Sequence, residues 1–278
     1  IPYRNFNVDS PHFRVLEDIA RDLSGEVNFP TCLDAAVLVR NTLRDPEITL
    51  DRIAAVVGSE PLIASKLLRL ANSVHYNPSG RAVTDLRNAI GRLGFETVRT
   101  VSLAVAMDQM VKARHLTDFA SIARETWEYS LRVAAIARVL ARRIGRINQD
   151  EAMVAGMVRH IGVFYLLYRA AEHAEYREDH ALALALVAGW QDSMGESLLQ
   201  VLGLPERIVA SLRQEGINVA NPCHLADVVY FAGLLAGEPP EWLTAAKEST
   251  PPAELDRYTD LLAEAAEDIA ELRAALAA

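Results

Sequence analysis

Cysteine is almost absent. The chain of 278 residues has only Cys32 and Cys223, 191 positions apart, with no second cysteine near either. A disulfide framework and a thiolate zinc site are thereby excluded, and two separate buried thiols in a reducing compartment are expected. Long apolar runs are missing too: the longest uncharged apolar stretch, around Ala181 to Trp190, is about half of what a membrane-spanning helix needs. No signal peptide is recognisable, so a cytoplasmic chain is expected. The first residue is Ile1 rather than Met, as expected of a fragment or a trimmed chain. There is no glycine loop to cradle a phosphate and no G-x-S-x-G elbow, and Ser130 and Ser193 form no nucleophile motif with the histidines. Basic excess is lacking as well. The net charge is −9, of which −7 comes from ten acidic and three basic residues between Glu238 and Ala278, leaving −2 over the other 237. A neutral body with an acidic tail argues against nucleic-acid binding, where a basic face supplies most of the affinity.

What is there is helical. With 51% hydrophobic and 23% charged residues the chain has the composition of a folded domain, long enough for one large core or two smaller ones. Ser10 caps an apolar-faced segment that stops before Gly25, Thr31-x-x-Asp34 opens another through Leu43, and Thr49 opens a short one closed by Gly58. Pro61 stands at a first helical position, where its missing N–H costs nothing. Thr84 caps "DLRNAIGRLG", which stops at Gly94. Thr117 begins the longest periodic segment, which stops at Gly145, and Asn148-x-x-Glu151 caps the apolar helical run that carries Arg159 and His160 in "VAGMVRHIGVFYLL". "HALALALVAGW" alternates like a strand, but Ala and Leu are strong helix formers and β-branched residues are missing until Val187, so it reads as helix. Pro205 starts "PERIVASLRQ", Asn221-Pro222 starts "PCHLADVVYFAGLLAG", and after Pro251-Pro252 a last acidic amphipathic helix runs to the end. The expected fold is all-α, about a dozen helices.

Two features invite a sharper reading. "TLDRIAAVVGSEPLIASKLLRLAN" has the outline of a helix-turn-helix, yet its second helix presents Leu62, Ile63, Leu67, Leu68 and Leu70 with only Lys66 and Arg69 charged, a core pattern rather than a base-reading one. Arg138, Arg142 and Arg146 recur every four residues along one face, a candidate contact for phosphate or an acidic partner, although a solvated face is the plainer reading.

Several stretches in order resemble the HDOD family, the HD-related output domains of bacterial signalling proteins. They are "SEPLIASKLLRLANSVHY" with Pro61, Asn72 and Ser73; "AIGRLG" with Gly94; "WEYSLRVAAIARVLA" with Trp127 and Ser130; "GMVRHIG" with Gly162; and "LLQVLGLPERI". The resemblance spans about Val27 to Gly237. It implies an HDOD-like domain over 27–237 in two packed halves (27–113 and 114–237, the second degenerate HD-like), flanked by the N-terminal helix over 1–26 and the acidic helical extension over 238–278 that the caps and charges predict. Asn72 is expected to close its helix, as a residue that tolerates left-handed backbone, and Gly94 and Gly162 are expected at turns or close helix contacts.

The catalytic relatives, the HD phosphohydrolases, bind divalent metal through a His, a His-Asp pair and a distant Asp, so that the metal can acidify a water. Residue by residue, the first His corresponds to Tyr129, the pair to Arg159 and His160, and the distant Asp to Asp227. A phenol is a poor ligand and a guanidinium cannot be one, and Arg159 would set a fixed positive charge where the cation belongs. The resemblance thus implies a vestigial metal site with no catalytic residue, no metal and no cofactor. Arg159 is expected to neutralise Asp227; the plainer alternative has Arg159 in solvent and His160 as a hydrogen-bonded core histidine. His224-x-x-Asp227 could join His160 in a makeshift metal site, but such a pair is more often structural.

The expected function is a non-catalytic signalling module acting through protein contacts, with a sensor kinase, a receiver or a diguanylate cyclase as the kind of partner the resemblance implies, and with neither membrane nor nucleic acid. The alternatives are a metal-dependent phosphohydrolase or cyclic-dinucleotide phosphodiesterase with remodelled ligands, a DNA-binding regulator, and a nucleotide binder in the vestigial cavity. The last helix is expected to be a lid on the bundle or a contact surface.

Overall fold

Polar side chains at the predicted caps set several of the helix starts. The computed structural model describes residues 11–24, 38–39, 41–74, 76–213, 216–218, 221–244 and 258–276. Helix α1 spans Pro11–Ser24 and α2 spans Leu50–Gly58, where Thr49 accepts a hydrogen bond from the Arg52 N–H. Pro61 opens α3 (Pro61–Ala71) as expected. Helices α4 (Leu86–Leu93) and α5 (Phe95–Val111) share a single junction residue, Gly94, at φ 80° and ψ 159°. Only glycine enters that region without strain, so one residue both ends α4 and starts α5. A 3₁₀ turn (Arg114–Phe119) leads into the longest helix, α6 (Ala120–Ile144). Asn148 caps α7 (Gln149–Val158) by accepting from the N–H groups of Asp150 and Glu151. Then come α8 (Ile161–Ala170), α9 (Ala174–Glu178), α10 (His180–Val201), α11 (Glu206–Ala210), α12 (Leu225–Leu235), α13 (Glu241–Thr244) and α14 (Leu261–Leu276). No strand occurs among the described residues, and the fold is all-α. "HALALALVAGW" is helical, within α10.

The details depart from expectation at several starts. Asp85, not Thr84, caps α4: its carboxylate accepts from the Asn88 N–H at 2.9 Å. Thr117 lies inside the 3₁₀ turn, its hydroxyl donating to Arg114 O, so α6 begins three residues later. Asn72 closes α3 without left-handed backbone (φ −98°, ψ 0°). Its amide does the work instead, donating to Leu68 O and Val83 O while accepting from the Val83 N–H. Helix α12 starts at Leu225 rather than at Pro222, because the Asp227 carboxylate turns back onto the preceding backbone. Ser10, Gly25, Thr31, Cys32, Asp34 and Pro251-Pro252 lie outside the described residues.

Helix α6 is the centre of the molecule, about 37 Å long at 1.5 Å per residue. One side, with Ile122, Ala123, Trp127, Leu131 and Ala134, joins the main core, which reaches from α1 to α12. The opposite side, with Val133, Ile136, Val139 and Leu140, joins a second core with Phe231, Ala232 and Leu235 of α12 and with Tyr258, Leu261 and Ala265 at the start of and within α14. In the helix-turn-helix outline, Ile63, Leu67 and Leu70 of α3 are buried as expected, whereas Leu68 is half-buried and Leu62 is exposed. Lys66, one of the two cations such a helix could offer a phosphate, is itself only 4% exposed.

Candidate functional site: a broken helix around Arg159 and His160

The apolar run from Val154 to Leu167 is two helices rather than one. Helix α7 stops at Val158, Arg159 and His160 form the turn, and α8 begins at Ile161. The physical reason lies in the flanking glycines. A Cβ on Gly156 would meet Ala134 Cα at 2.7 Å, and one on Gly162 would meet Gln191 O at 2.0 Å. Helix α7 is therefore pressed backbone to backbone on α6, and α8 on a different helix, α10. A break between the two contacts lets both form.

The turn aims its two side chains apart. Arg159, 12% exposed, donates through Nη1 to Leu212 O at 2.9 Å and to Asp192 Oδ1 at 3.3 Å. It neither points into solvent nor neutralises Asp227, which corrects the expectation drawn from sequence. His160 turns to α6, where its Nδ1 lies 3.0 Å from Ser130 Oγ. The Ser130 hydroxyl donates to Thr126 O at 2.8 Å, so its lone pair is what faces the imidazole. His160 accordingly carries its proton on Nδ1 and donates it to Ser130. Burial, seconded by the neighbouring Arg159 charge, holds its pKa well below the ordinary 6.5, and the ring is neutral at physiological pH.

Tyr129 and His160 do come together, with ring centroids 5.5 Å apart. The Tyr129 hydroxyl donates to Gly233 O at 2.9 Å, and the Arg132 guanidinium lies 5.4 Å from the centre of its ring. Burial raises the phenol pKa against the lowering effect of Arg132 and Arg159, so it stays protonated. Asp227, 1% exposed, is engaged by its own loop: Oδ1 accepts from the Asn218 N–H at 2.8 Å, and Oδ2 from those of Cys223 and His224 at 2.9 Å each. With His224 it forms a capping box at the start of α12, so the His224-x-x-Asp227 spacing is capping chemistry. Cys223 is a free, half-buried thiol.

A divalent metal does not fit this set. It would need lone pairs from a neutral imidazole and a free carboxylate converging on one point. Here the carboxylate oxygens hold three backbone N–H groups, the tyrosine oxygen is spent on a carbonyl, and a guanidinium occupies the fourth position. Among the described residues no group of three or more His, Cys, Asp or Glu is arranged to hold a metal.

The other singled-out residues are elsewhere. Trp127 packs edge-on against Phe164 with centroids 6.4 Å apart. Ser73 lies in the turn after α3, its N–H bonded to Leu70 O. Arg146 follows Gly145 beyond the end of α6 and so leaves the arginine row, while Arg138 and Arg142 meet acidic side chains of α14. Sequence reasoning missed Asp192, Leu212 O and Gly233 O, the partners that decide how Arg159 and Tyr129 are held; all three lie far along the chain and leave no signature near Arg159 or Tyr129. No described helix is long and apolar enough to cross a membrane.

The comparisons with known proteins agree with this architecture. The HDOD domain family matches residues 29–216. An uncharacterised protein of Treponema pallidum (strain Nichols) is 21% identical over 224 residues, which are 76% of this chain and 41% of that one, so the chain spans well under half the length of this curated relative. A Shewanella amazonensis structure, provisionally named a metal-dependent phosphohydrolase, superposes with a TM-score of 0.68 at 19% identity, covering 95% of this chain and 99% of the other. A Marinobacter aquaeolei structure, provisionally named a signal transduction protein, gives 0.59 at 17% identity over 97% and 67%. At such identities these likenesses establish the fold alone. With the family match extending over more than half of its residues, this chain belongs to the HDOD domain family.

Proposed function

We propose that this protein is a non-catalytic regulatory module of a bacterial signalling pathway, working in the cytoplasm through contacts with other proteins. The observation that carries the reading is the state of Asp227. The one carboxylate kept from the HD ligand set has both oxygens committed to backbone N–H groups, in a cap that α12 needs. Tyr129, Arg159 and His160 then act as packing and tethering residues at positions that hold metal in the hydrolases. The resemblance adds the kind of pathway, two-component or cyclic-dinucleotide, and the kind of partner, a sensor kinase, receiver or diguanylate cyclase. The signalling name of the Marinobacter structure is in keeping with this, whereas the phosphohydrolase name of the Shewanella structure favours the competing enzyme reading.

The test is metal content after purification without chelator, with manganese, iron, zinc and magnesium offered in turn. The expected result is well below one metal per chain, no calorimetric binding isotherm, and no hydrolysis of cyclic dinucleotides. A stoichiometric metal that disappears in His160→Ala or Asp227→Ala, accompanied by turnover, would replace the proposal with a phosphodiesterase having remodelled ligands.

A further inference from the structure

Helix α14 crosses α6 and also touches α3 and α5. Its attachment is unusual for a core helix. Below Tyr258, which precedes it, only Leu261, Ala265 and Asp268 are buried among its described side chains, and Leu262, Ala263, Glu264, Ala266 and Glu267 are exposed. Ile269 is half-buried beside them, and ion pairs add to the hold of the described side chains. Asp260 pairs with Arg143 at 3.1 Å, Glu264 with Arg142, Asp268 with Arg138 at 3.6 Å and Arg142 at 3.8 Å, and Arg273 with Glu128. Exposed ion pairs of this sort contribute little each and weaken as salt screens them. Only the Arg138–Asp268 pair is sheltered, at 12% and 11% exposure, and Arg138 also has Asp150 of α7 at 3.9 Å. Loss of Asp268 thus leaves that guanidinium with a second carboxylate.

Beneath α14 lies apolar surface of α6, including Ile136 and Leu140, continued by Phe231 of α12 under Tyr258 and bordered by Arg138, Arg142 and Arg143. Apolar centre and cationic edge together complement an acidic amphipathic helix, and α14 is one. We propose that this face is a docking surface for an acidic amphipathic helix of a partner protein, and that α14 is its internal occupant, a strap the partner displaces. The proposal rests on the reading of the domain as one that acts through protein contacts, and it names the chemistry of the contact.

Hydrogen exchange on the full chain tests the strap. Raising sodium chloride from about 0.1 to about 1 M cuts the screening length from about 10 to about 3 Å. The α14 amides should exchange about tenfold or more faster than those of α6 at low salt, and several-fold faster again at high salt, with α6 and α12 unchanged. Exchange of α14 as slow as α6 at both salts would overturn the proposal. For the surface, a labelled synthetic peptide of residues 258–276 is titrated against the full chain carrying Asp260→Arg and Glu264→Arg, two exposed positions. Saturable, salt-weakened binding about tenfold or more tighter than to the unaltered chain is expected. Equal binding to the two, or none to either, would overturn it. Should the double variant fail to melt cooperatively, Asp260→Asn with Glu264→Gln carries the same comparison, with a difference of several-fold. The metal experiment above is independent of all these outcomes, so the two readings fail separately.

Discussion

His160 shows what a titratable group does once its surroundings are fixed. Its folded pKa lies far below 6.5 because burial and Arg159 both oppose the imidazolium. The unfolded chain takes up a proton near pH 6.5 that the folded chain refuses, so the group's contribution is intact above that pH and is lost as pH falls below it, at up to about 1.4 kcal/mol per pH unit. The melting temperature should therefore decline between pH 7 and 5, and His160→Gln should flatten part of that decline. An identical slope in the variant would show that the ring does not carry this linkage. Arg159→Ala removes a charge-assisted bond to Leu212 O at a site 12% exposed, and should cost about 1.5–3 kcal/mol in denaturant unfolding. Arg146→Ala, at an exposed position past the end of α6, should stay within about 0.5 kcal/mol. At this scale the sequence was only partly legible. That a phenol at Tyr129 and a guanidinium at Arg159 make a poor ligand set could be read from their chemistry alone. That Arg159 reaches Leu212, and Asp227 the N–H of Asn218, could not be read, since those partners are backbone groups 53 and 9 residues away.

Among the elements, the starts that were legible depend on short side chains bonding their own helix, as at Thr49 and Asn148, where local spacing contains the whole interaction. Three misread starts, at Thr84, Thr117 and Pro222, turn on which of several nearby polar groups takes the local bond, whereas the break in the run from Val154 to Leu167 depends on distant packing. Periodicity gives no hint that Gly156 and Gly162 touch two different helices. Gly162→Ala should therefore be among the most damaging small substitutions in the chain, since its Cβ would fall 2.0 Å from Gln191 O and 2.8 Å from Gly195 N. A loss of about 3 kcal/mol or more is expected in urea unfolding, against no loss, and a gain of up to about 1 kcal/mol, for Gly189→Ala in α10, where an added Cβ meets nothing within 4 Å. Equal effects at the two positions would mean that the crossing has room to open.

For the molecule as a whole, α6 belongs to both cores, so neither can be exposed without disturbing the helix that completes the other. Calorimetry should then give one main transition, with calorimetric and van't Hoff enthalpies in agreement. Two well-separated transitions would instead mark the halves as independent. The all-helical architecture was the most legible property of all, because it needs only periodicity and caps that agree along the chain. How the halves and the tail meet was not legible: the arginine row read as a solvated face or an outward contact, and Arg138 and Arg142 turn out to meet the chain's own acidic residues.

The glycine crossing of α8 and α10 has one more effect. Where side chains interlock, two helices can settle into several registers by changing rotamers. At Gly162 and Gly195 backbone meets backbone, and there are no rotamers to change. The closest approach of the two helices is therefore set by atoms that cannot move aside, and the crossing has one spacing rather than a family of them.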